Sequence, residues 1–253
     1  MSGDGRGTSV PIPDYPEGDE ARARVLREGE LVVQGRMPWS SNGTFLVHAC
    51  LAGVGEVLGV YKPEAGERPL WDFPSGLWRR EVAAYEVAEA LGWSLVPPTV
   101  RRDDGPLGVG SVQLFVPSDP DEHYFSLLDE PANHPALRLL AAFDVVANST
   151  DRKGGHIVRG PDGRIWAIDN GLSFHAEFKL RTVIWEFAGD HLEHEVVEAL
   201  ESFVDRLAGG VPALDDLLDD DELDAMARRA RALATNRRLP IDPTGRRYPW
   251  PLV

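Results

Sequence analysis

The sequence predicts an α+β fold built from two lobes. The first half of the 253-residue chain is dominated by short segments rich in β-branched and other apolar residues, and the second half by segments with helical periodicity. Strands followed by helices are typical of α+β domains. We expect an arm without ordered structure over residues 1–25, a small strand-rich lobe over residues 26–117 and a mainly helical lobe over residues 118–253.

The small lobe is expected to begin with a meander of three strands. The strand-like segments lie at 30–35, 44–51 and 56–62, and Asn42-Gly43, a strong tight-turn dipeptide, stands between the first two. Their apolar and β-branched composition favours a sheet with one buried face.

A helix and a further strand complete this lobe. Residues 77–91 carry apolar side chains at helical spacing, and Gly92 stands where a helix stop is expected. Residues 110–116 read as a strand that Pro117 ends, since proline cannot continue a sheet ladder.

The second lobe is expected to be helical apart from one hairpin. Its apolar periodicity predicts helices over residues 135–147, 196–207 and 217–233. The turn at 160–163 separates two short strand-like runs and predicts a hairpin. The acidic run at 215–224 is expected to be a solvated linker and helix start, because acidic residues are favoured at a helix N-terminus.

Composition narrows the function classes. A formal net charge of −15 disfavours nucleic acid and anionic membrane surfaces as partners. The single cysteine, Cys50, excludes an intrachain disulfide and suits a reducing cytoplasm, where we expect the protein to be located. We expect no integral membrane association, because no run of about 18 apolar residues is present. Oligomeric state is left open.

Two stretches carry most of the chemistry. Asp151 lies in NSTDRKGGH at 148–156, and Asp169 lies in AIDNGLSF at 167–174. Each aspartate stands among turn-forming residues beside an apolar run, where it is either a turn former or a functional group. Two carboxylates in one cleft are what phosphoryl transfer needs, one to orient the attacking hydroxyl and one to hold metal ions on ATP.

Other residues would complete such a site. Lys62 ends a strand and could neutralise phosphates, and Glu81 lies in the helix at 77–91 and could pair with it. Taken singly, each is equally a solvated surface residue. The loop between the first two strands could cover phosphates with its amides and hydroxyls, although an ordinary hairpin turn explains it as well; its residues are Ser40, Ser41, Asn42, Gly43 and Thr44.

His156 lies five residues after Asp151. In phosphoryl-transfer loops of the D-x-x-x-x-N kind that position carries an asparagine for the second magnesium. A neutral imidazole suits manganese or zinc better than magnesium. We therefore expect Asp169 and His156 as metal ligands, with a hydrogen bond from His156 to the loop or to Asp151 as the alternative.

These stretches resemble the catalytic and metal-binding segments of phosphatidylinositol 3-/4-kinases, and the type II 4-kinases are the most similar. YKP at 61–63, REVAAY at 80–85, and VPPT at 96–99 with GSVQLFV at 110–116 are similar in the same order. The chain also resembles an actinobacterial phosphatidylinositol-kinase-like family, and more distantly HipA-type protein kinases.

The resemblance implies a bilobal protein-kinase-like fold with ATP between the lobes and Mg²⁺ or Mn²⁺ as its metal. Asp151 would be the catalytic base, Lys62 would contact phosphates, Glu81 would pair with Lys62, and Asp169 would bind the metal. The adenine would contact the backbone of Gln113, Leu114, Phe115 and Val116.

Three departures bear on the phosphate acceptor. His156 replaces the family's asparagine, the palmitoylated cysteine cluster of type II lipid kinases is absent, and no basic run for a lipid head group follows Phe174. We therefore predict an ATP-dependent phosphotransferase that acts on a protein or small molecule rather than a lipid. A nucleotide-binding pseudokinase that serves as a regulatory scaffold, and a protein nucleotidyltransferase, are the alternatives.

Overall fold

The expected α+β class with two lobes is confirmed. The computed structural model describes residues 10–37 and 42–253. Its helices are α1 Asp19–Glu28, α2 Leu77–Leu91, α3 Tyr124–Leu128, α4 His134–Ala147, α5 His194–Ala208, α6 Pro212–Asp215 and α7 Asp220–Asn236. Its strands are β1 Glu30–Arg36, β2 Phe45–Leu51, β3 Gly55–Pro63, β4 Thr99–Arg102, β5 Gly110–Leu114, β6 Ile157–Arg159 and β7 Ile165–Ala167.

The small lobe is built on a five-stranded antiparallel sheet of order β1-β2-β3-β5-β4, with α2 inserted between β3 and β4. The predicted meander and the helix at 77–91 are confirmed. The sequence pattern did not predict β4. Pro97 and Pro98 indicate only that a helix cannot continue, and β4 begins directly after them.

The outer face of the sheet is covered by α1. Leu26 of α1 packs into one apolar cluster with Tyr61 of β3 and Val112 of β5. Gly59, between them on β3, has little room for a side chain, because a Cβ there would lie 2.8 Å from Val112 Cγ1 and 3.1 Å from Leu26 Cδ2. Successive side chains alternate across a strand, so Lys62, next to Tyr61, points to the opposite face.

The prediction of an arm without ordered structure over residues 1–25 is wrong for its last part, where α1 begins at Asp19. Ala23, Val25 and Leu26 are fully buried on the sheet. Their apolar stripe is short and lies among charged residues, so the sequence pattern hides it. The first part of that arm, residues 1–9, lies outside the described residues.

The N-terminal segment also forms hydrogen bonds with residues that are distant in the sequence. Asp19 accepts hydrogen bonds from the two terminal guanidinium nitrogens of Arg164, Nη1 and Nη2, in the β6–β7 hairpin, at 2.7 and 3.2 Å. The Tyr15 hydroxyl donates to the carbonyl of Phe115, just after β5, at 3.0 Å. The segment therefore bonds both the hairpin and the connection between the lobes.

The larger core joins α2 to the helical part. Apolar residues of α2, α4, α5 and α7 form one cluster that includes Val87, Phe143, Phe203 and Met226. Three predicted elements, the helices at 135–147 and 196–207 and the hairpin at 160–163, are confirmed within one or two residues. The predicted boundary near residue 117 falls between the end of β5 and the start of α3 and stays a prediction.

The helix expected over residues 217–233 is present as α7, shifted to Asp220–Asn236. α6 ends at Asp215, and α7 starts only after Asp219, whose side chain accepts a hydrogen bond from the Glu222 amide at 2.8 Å. Glu222 in turn bonds the Asp219 amide and the Arg80 guanidinium, so this capping box also fastens α7 to α2. Within the described residues, no helix is both long and apolar enough to cross a membrane.

Two acidic residues of α2 face the acidic start of α1 and give a pH-dependent stability. Burial raises the pKa of Glu86 and of Glu89, and the charge of Glu20 adds to both rises. An acid whose pKa is higher in the folded state favours folding when it is protonated. The free energy of unfolding therefore falls as the pH rises through the folded-state pKa and the acid ionises. We expect the double variant Glu86→Gln/Glu89→Gln to melt at a higher temperature at neutral pH, with less change on acidification.

Thermal denaturation followed by circular dichroism from neutral pH to about pH 5 measures this effect. Glu201→Gln, on the exposed face of α5, controls for the removal of a negative charge from an acidic protein. Equal melting curves for the double variant and the control would contradict the assignment.

Candidate active site

The site is organised around the ammonium group of Lys62 at the end of β3. Its Nζ donates a hydrogen bond to Glu81 Oε1 of α2 and another to Asp169 Oδ1, at 2.7 Å, just after β7. Glu81 is buried, whereas the Asp169 side chain is 55% exposed. Three predicted site residues from three elements therefore meet where the sheet faces the helical lobe.

The chain after β7 is held against Glu81. The second oxygen of Glu81, Oε2, accepts a hydrogen bond from the Asn170 amide at 2.9 Å. Gly171 leaves space for this carboxylate, since a Cβ there would lie 3.1 Å from Glu81 Oε1. Asp169 itself has a left-handed backbone with φ of 58°, which aspartate tolerates better than most residues. One carboxylate thus fixes both Lys62 and the backbone that presents Asp169.

The charges in this cluster support one another. Burial lowers the pKa of Lys62, but the negative charges of Asp169 and Glu81 outweigh it and hold that pKa above its ordinary value. The Lys62 ammonium holds the pKa of Asp169 well below its usual range. At neutral pH the ammonium and the Asp169 carboxylate are both charged.

His156 supports Asp169 from the other side. Its Nε2 lies 3.3 Å from Asp169 Oδ2, and its Nδ1 accepts a hydrogen bond of 3.4 Å from the Lys153 amide. Burial lowers the pKa of His156, and the charge of Asp169 opposes that effect only in part, so the imidazole is neutral at pH 7. With Nδ1 as the acceptor, the network assigns the proton to Nε2, which then donates to Asp169. A metal bond through Nε2 needs the other tautomer.

Asp151 stands on the loop after α4, at the other end of the turn that carries His156. Its Oδ2 accepts a hydrogen bond from Lys153 Nζ at 2.8 Å. The residues on both sides are fixed by backbone bonds, since the Thr150 amide donates to Leu172 at 2.9 Å and the Arg152 amide donates to Arg181 at 3.1 Å. The Asp151 side chain remains 30% exposed, so one carboxylate oxygen is accessible.

Arg152 binds the two aspartate stretches together. The side chain is fully buried and donates to Asp144 Oδ1 of α4 at 3.0 Å, to the Ile168 carbonyl at 2.7 Å and to Asn170 Oδ1 at 2.6 Å. Burial raises the pKa of Asp144, and the charge of Arg152 opposes part of that rise. Thr182 donates a further hydrogen bond to Asp144, at 2.9 Å.

The C-terminal residues of the chain pack on the same loop. The Gly154 amide, between Asp151 and His156, donates to the Leu252 carbonyl at 2.6 Å. Gly154 is buried, and a Cβ there would lie 3.3 Å from Leu252 O and 3.3 Å from Val253 Cγ2. Residues 252–253 therefore form one wall of the turn that positions His156.

The predicted phosphate-covering loop is only partly described, because Ser40 and Ser41 lie outside the described residues. The Gly43 amide donates to the Gly66 carbonyl at 2.8 Å, and Asn42 Oδ1 accepts from the Arg68 amide at 3.1 Å. Thr44 is buried. The described part of the loop is thus hydrogen-bonded to the connection after β3. The role of the loop in phosphate binding stays a prediction.

The predicted adenine-binding residues have most of their polar groups in use. Gln113 Nε2 donates to Thr99 at 2.9 Å, and the Leu114 and Phe115 amides donate to Pro98 and Leu58. The Phe115 carbonyl accepts from Tyr15. The backbone of Val116 takes part in none of the hydrogen bonds found among the described residues. Among the predicted adenine-binding residues, Val116 therefore has backbone groups free to bond a ligand. Adenine binding there stays a prediction.

Sequence reasoning overlooked three side chains of the site. Asp144 lies within an apolar helical run, and a carboxylate there is a signal for a buried partner. Lys153 follows Asp151 at a spacing of two residues, within reach of an ion pair. Arg181 comes from a distant segment, and only the fold brings it beside the Asp151 loop.

A comparison with known proteins gives a near full-length relative. Protein Rv2133c of Mycobacterium tuberculosis (strain ATCC 25618 / H37Rv) is 41% identical over 263 residues, which cover 90% of this chain and 94% of that protein. The chain belongs to the Rv2133c family. No family model matches it, so the resemblance to phosphatidylinositol kinases stays a prediction.

Among solved structures, this Rv2133c-family protein is similar to the crystal structure of a Helicobacter pylori proinflammatory kinase, CtkA. The sequence identity is 11% and the TM-score is 0.48, over 85% of this chain and 94% of the CtkA chain.

The donor set of this Rv2133c-family site fits a metal ion that is held mainly by phosphate. Among the residues that the structure describes, no three His, Cys, Asp or Glu side chains form a group that could hold a metal ion. The exposed carboxylate of Asp169 is one hard oxygen donor. Magnesium is commonly bound by one or two carboxylates together with substrate phosphates and water, and Asp169 would be one such carboxylate.

The buried Arg152–Asp144 pair should dominate the stability of this site. Arg152→Met leaves the Asp144 carboxylate buried without its counter-ion, and we expect a loss of about 3–5 kcal/mol in the free energy of unfolding. Urea denaturation measures it.

Arg231→Met, on the exposed surface of α7, is the matched control and should change stability by less than about 0.5 kcal/mol. A loss below about 1 kcal/mol in Arg152→Met, the range of exposed ion pairs, would show that the buried network is not important for stability.

Proposed function

We propose that the protein is an ATP-dependent phosphotransferase. The observation that carries the proposal is the meeting of Lys62, Glu81 and Asp169 between the sheet and the helical lobe, with Asp151 on the adjoining loop. Phosphoryl transfer depends mainly on positioning and on charge neutralisation, and these residues supply both.

Lys62 would hold the phosphates and Asp169 the metal ion that accompanies them. The hydrogen bond of 2.7 Å between these two residues is more exposed than the contact between Lys62 and Glu81, since Glu81 is buried behind them. An arriving phosphate would take the place of Asp169 at the ammonium, and Glu81 would keep Lys62 in position. Asp169 would then be free to bind a magnesium or manganese ion, which when bound neutralises charge on the phosphates.

Asp151 would receive the proton. Lys153 holds Oδ2, and the accessible oxygen can accept a hydrogen bond from a hydroxyl. As the hydroxyl oxygen bonds to the γ-phosphorus, the bond between that phosphorus and the β–γ bridging oxygen breaks, ADP leaves and the hydroxyl proton passes to Asp151.

The roles of these residues can be separated by measurement. We expect Asp151→Asn to lower transfer of the γ-phosphate by roughly 10²- to 10⁴-fold while ATP binding stays within about threefold, because it removes only the base. Asp169→Asn and Lys62→Met should weaken ATP binding as well. Calorimetry with ATP and Mg²⁺ or Mn²⁺ and transfer of labelled phosphate give the two quantities.

Asp162→Asn, in the β6–β7 turn, is the matched control for loss of a carboxylate. Unchanged transfer in Asp151→Asn and Asp169→Asn would reject the assignment. ATP binding without turnover under either metal would select the pseudokinase alternative, and AMP found on protein by mass spectrometry would select nucleotidyl transfer.

His156 should set the choice of metal. Its replacement in His156→Asn offers a hard amide oxygen in place of an imidazole nitrogen, and magnesium prefers oxygen ligands. We expect the ratio of activity with Mg²⁺ to activity with Mn²⁺ to rise in this variant. Transfer rates across a titration of each metal test this, and an unchanged ratio would show that His156 acts on Asp169 alone.

A further inference from the structure

Two neighbouring cavities lie on the side of the molecule that carries Asp151. The smaller, of about 310 Å³, is lined by Asp151 and Thr150 together with Trp71 and Arg181. The larger, of about 520 Å³, lies between the connection after β3 and the β4–β5 turn. Leu70 and Phe73 line both cavities, so the two cavities adjoin at these residues, and we refer to the pair as the groove. The groove runs from the candidate base along the small lobe.

The two parts of the groove have different chemistry. The walls of the larger cavity are mostly apolar, with Pro69, Leu77 and Leu107 among them, although Glu64, Glu67 and Arg68 also line it. The smaller cavity carries the Arg181 guanidinium, which is exposed and takes part in none of the side-chain hydrogen bonds or ion pairs found among the described residues. In contrast, the neighbouring Lys179 lies 3.6 Å from Asp72. Arg181 is therefore a cation available to a ligand.

We propose that the phosphate acceptor is a polypeptide that binds along this groove in an extended conformation. Its serine or threonine lies at Asp151, an acidic side chain pairs with Arg181, and an apolar side chain enters the larger cavity. This inference rests on the proposed phosphotransferase function and names the substrate class of the same site.

The composition of the groove favours a polypeptide over the other acceptor classes. A small polyol would fill the smaller cavity and leave the apolar one unused. A lipid in an anionic membrane meets a protein with a net charge of −15, which opposes docking. An extended peptide places side chains at intervals of about 3.3 Å and can present hydroxyl, acidic and apolar groups to successive parts of one groove.

A serine-centred peptide library with labelled ATP tests the inference. Each member fixes one position within four residues of the serine as Asp, Lys, Leu or Gly. We expect the wild-type protein to select an acidic residue at one position and Leu at another. Arg181→Glu should reverse the first preference toward Lys, and Leu70→Asp should abolish the second.

Arg231→Glu is the matched control for charge reversal, and melting curves with ATP affinity verify that each variant is folded. If ATP is turned over but phosphate passes to phosphatidylinositol vesicles or free inositol and not to peptides, the polypeptide inference is wrong while the phosphotransferase function stands. Peptide preferences that both variants leave unchanged also overturn it. If ATP neither binds nor turns over, the proposed function fails first.

Discussion

The hydrogen bonds of the Arg152 guanidinium are the interaction on which the rest of the site depends. A buried arginine is stable only when its donors are satisfied, and here α4, the end of β7 and the residue after Asp169 all provide acceptors. Because Arg152 directly follows Asp151, these bonds fix the spacing between the two aspartate stretches. The geometry of the candidate site is therefore a consequence of the core of the helical lobe rather than of surface loops.

The small lobe contributes its part through a second fixed pair. Glu81 bonds Lys62 and the Asn170 backbone at once, so the sheet, α2 and the chain after β7 share one carboxylate. Asn170 also bonds Arg152. A continuous path of hydrogen bonds thus connects Lys62 to α4, and a displacement of α2 changes the position of Asp169 as well as that of Lys62.

Local patterns predicted the elements well and the long-range contacts less well. The helix at 77–91 was predictable because its apolar periodicity and Gly92 indicate the same end. Lys62 and Glu81 indicated a site only when they were considered as a pair. The burial of Arg152 was not predictable, since a charged residue beside a loop aspartate looks solvated until its partner from α4 is placed. α1 was hidden for the same reason, because its few apolar residues matter only against the sheet.

The bond between Asp19 and Arg164 connects a helix on the outer face of the sheet with the hairpin of the other lobe. Separation of the two lobes must stretch this ion pair, which is partly exposed and therefore weakened by salt. We consider the case in which a nucleotide occupies the cleft as proposed and the lobes separate to release it. The dissociation rate of ADP, and with it the turnover time, would then increase with ionic strength through a contact that lies outside the site.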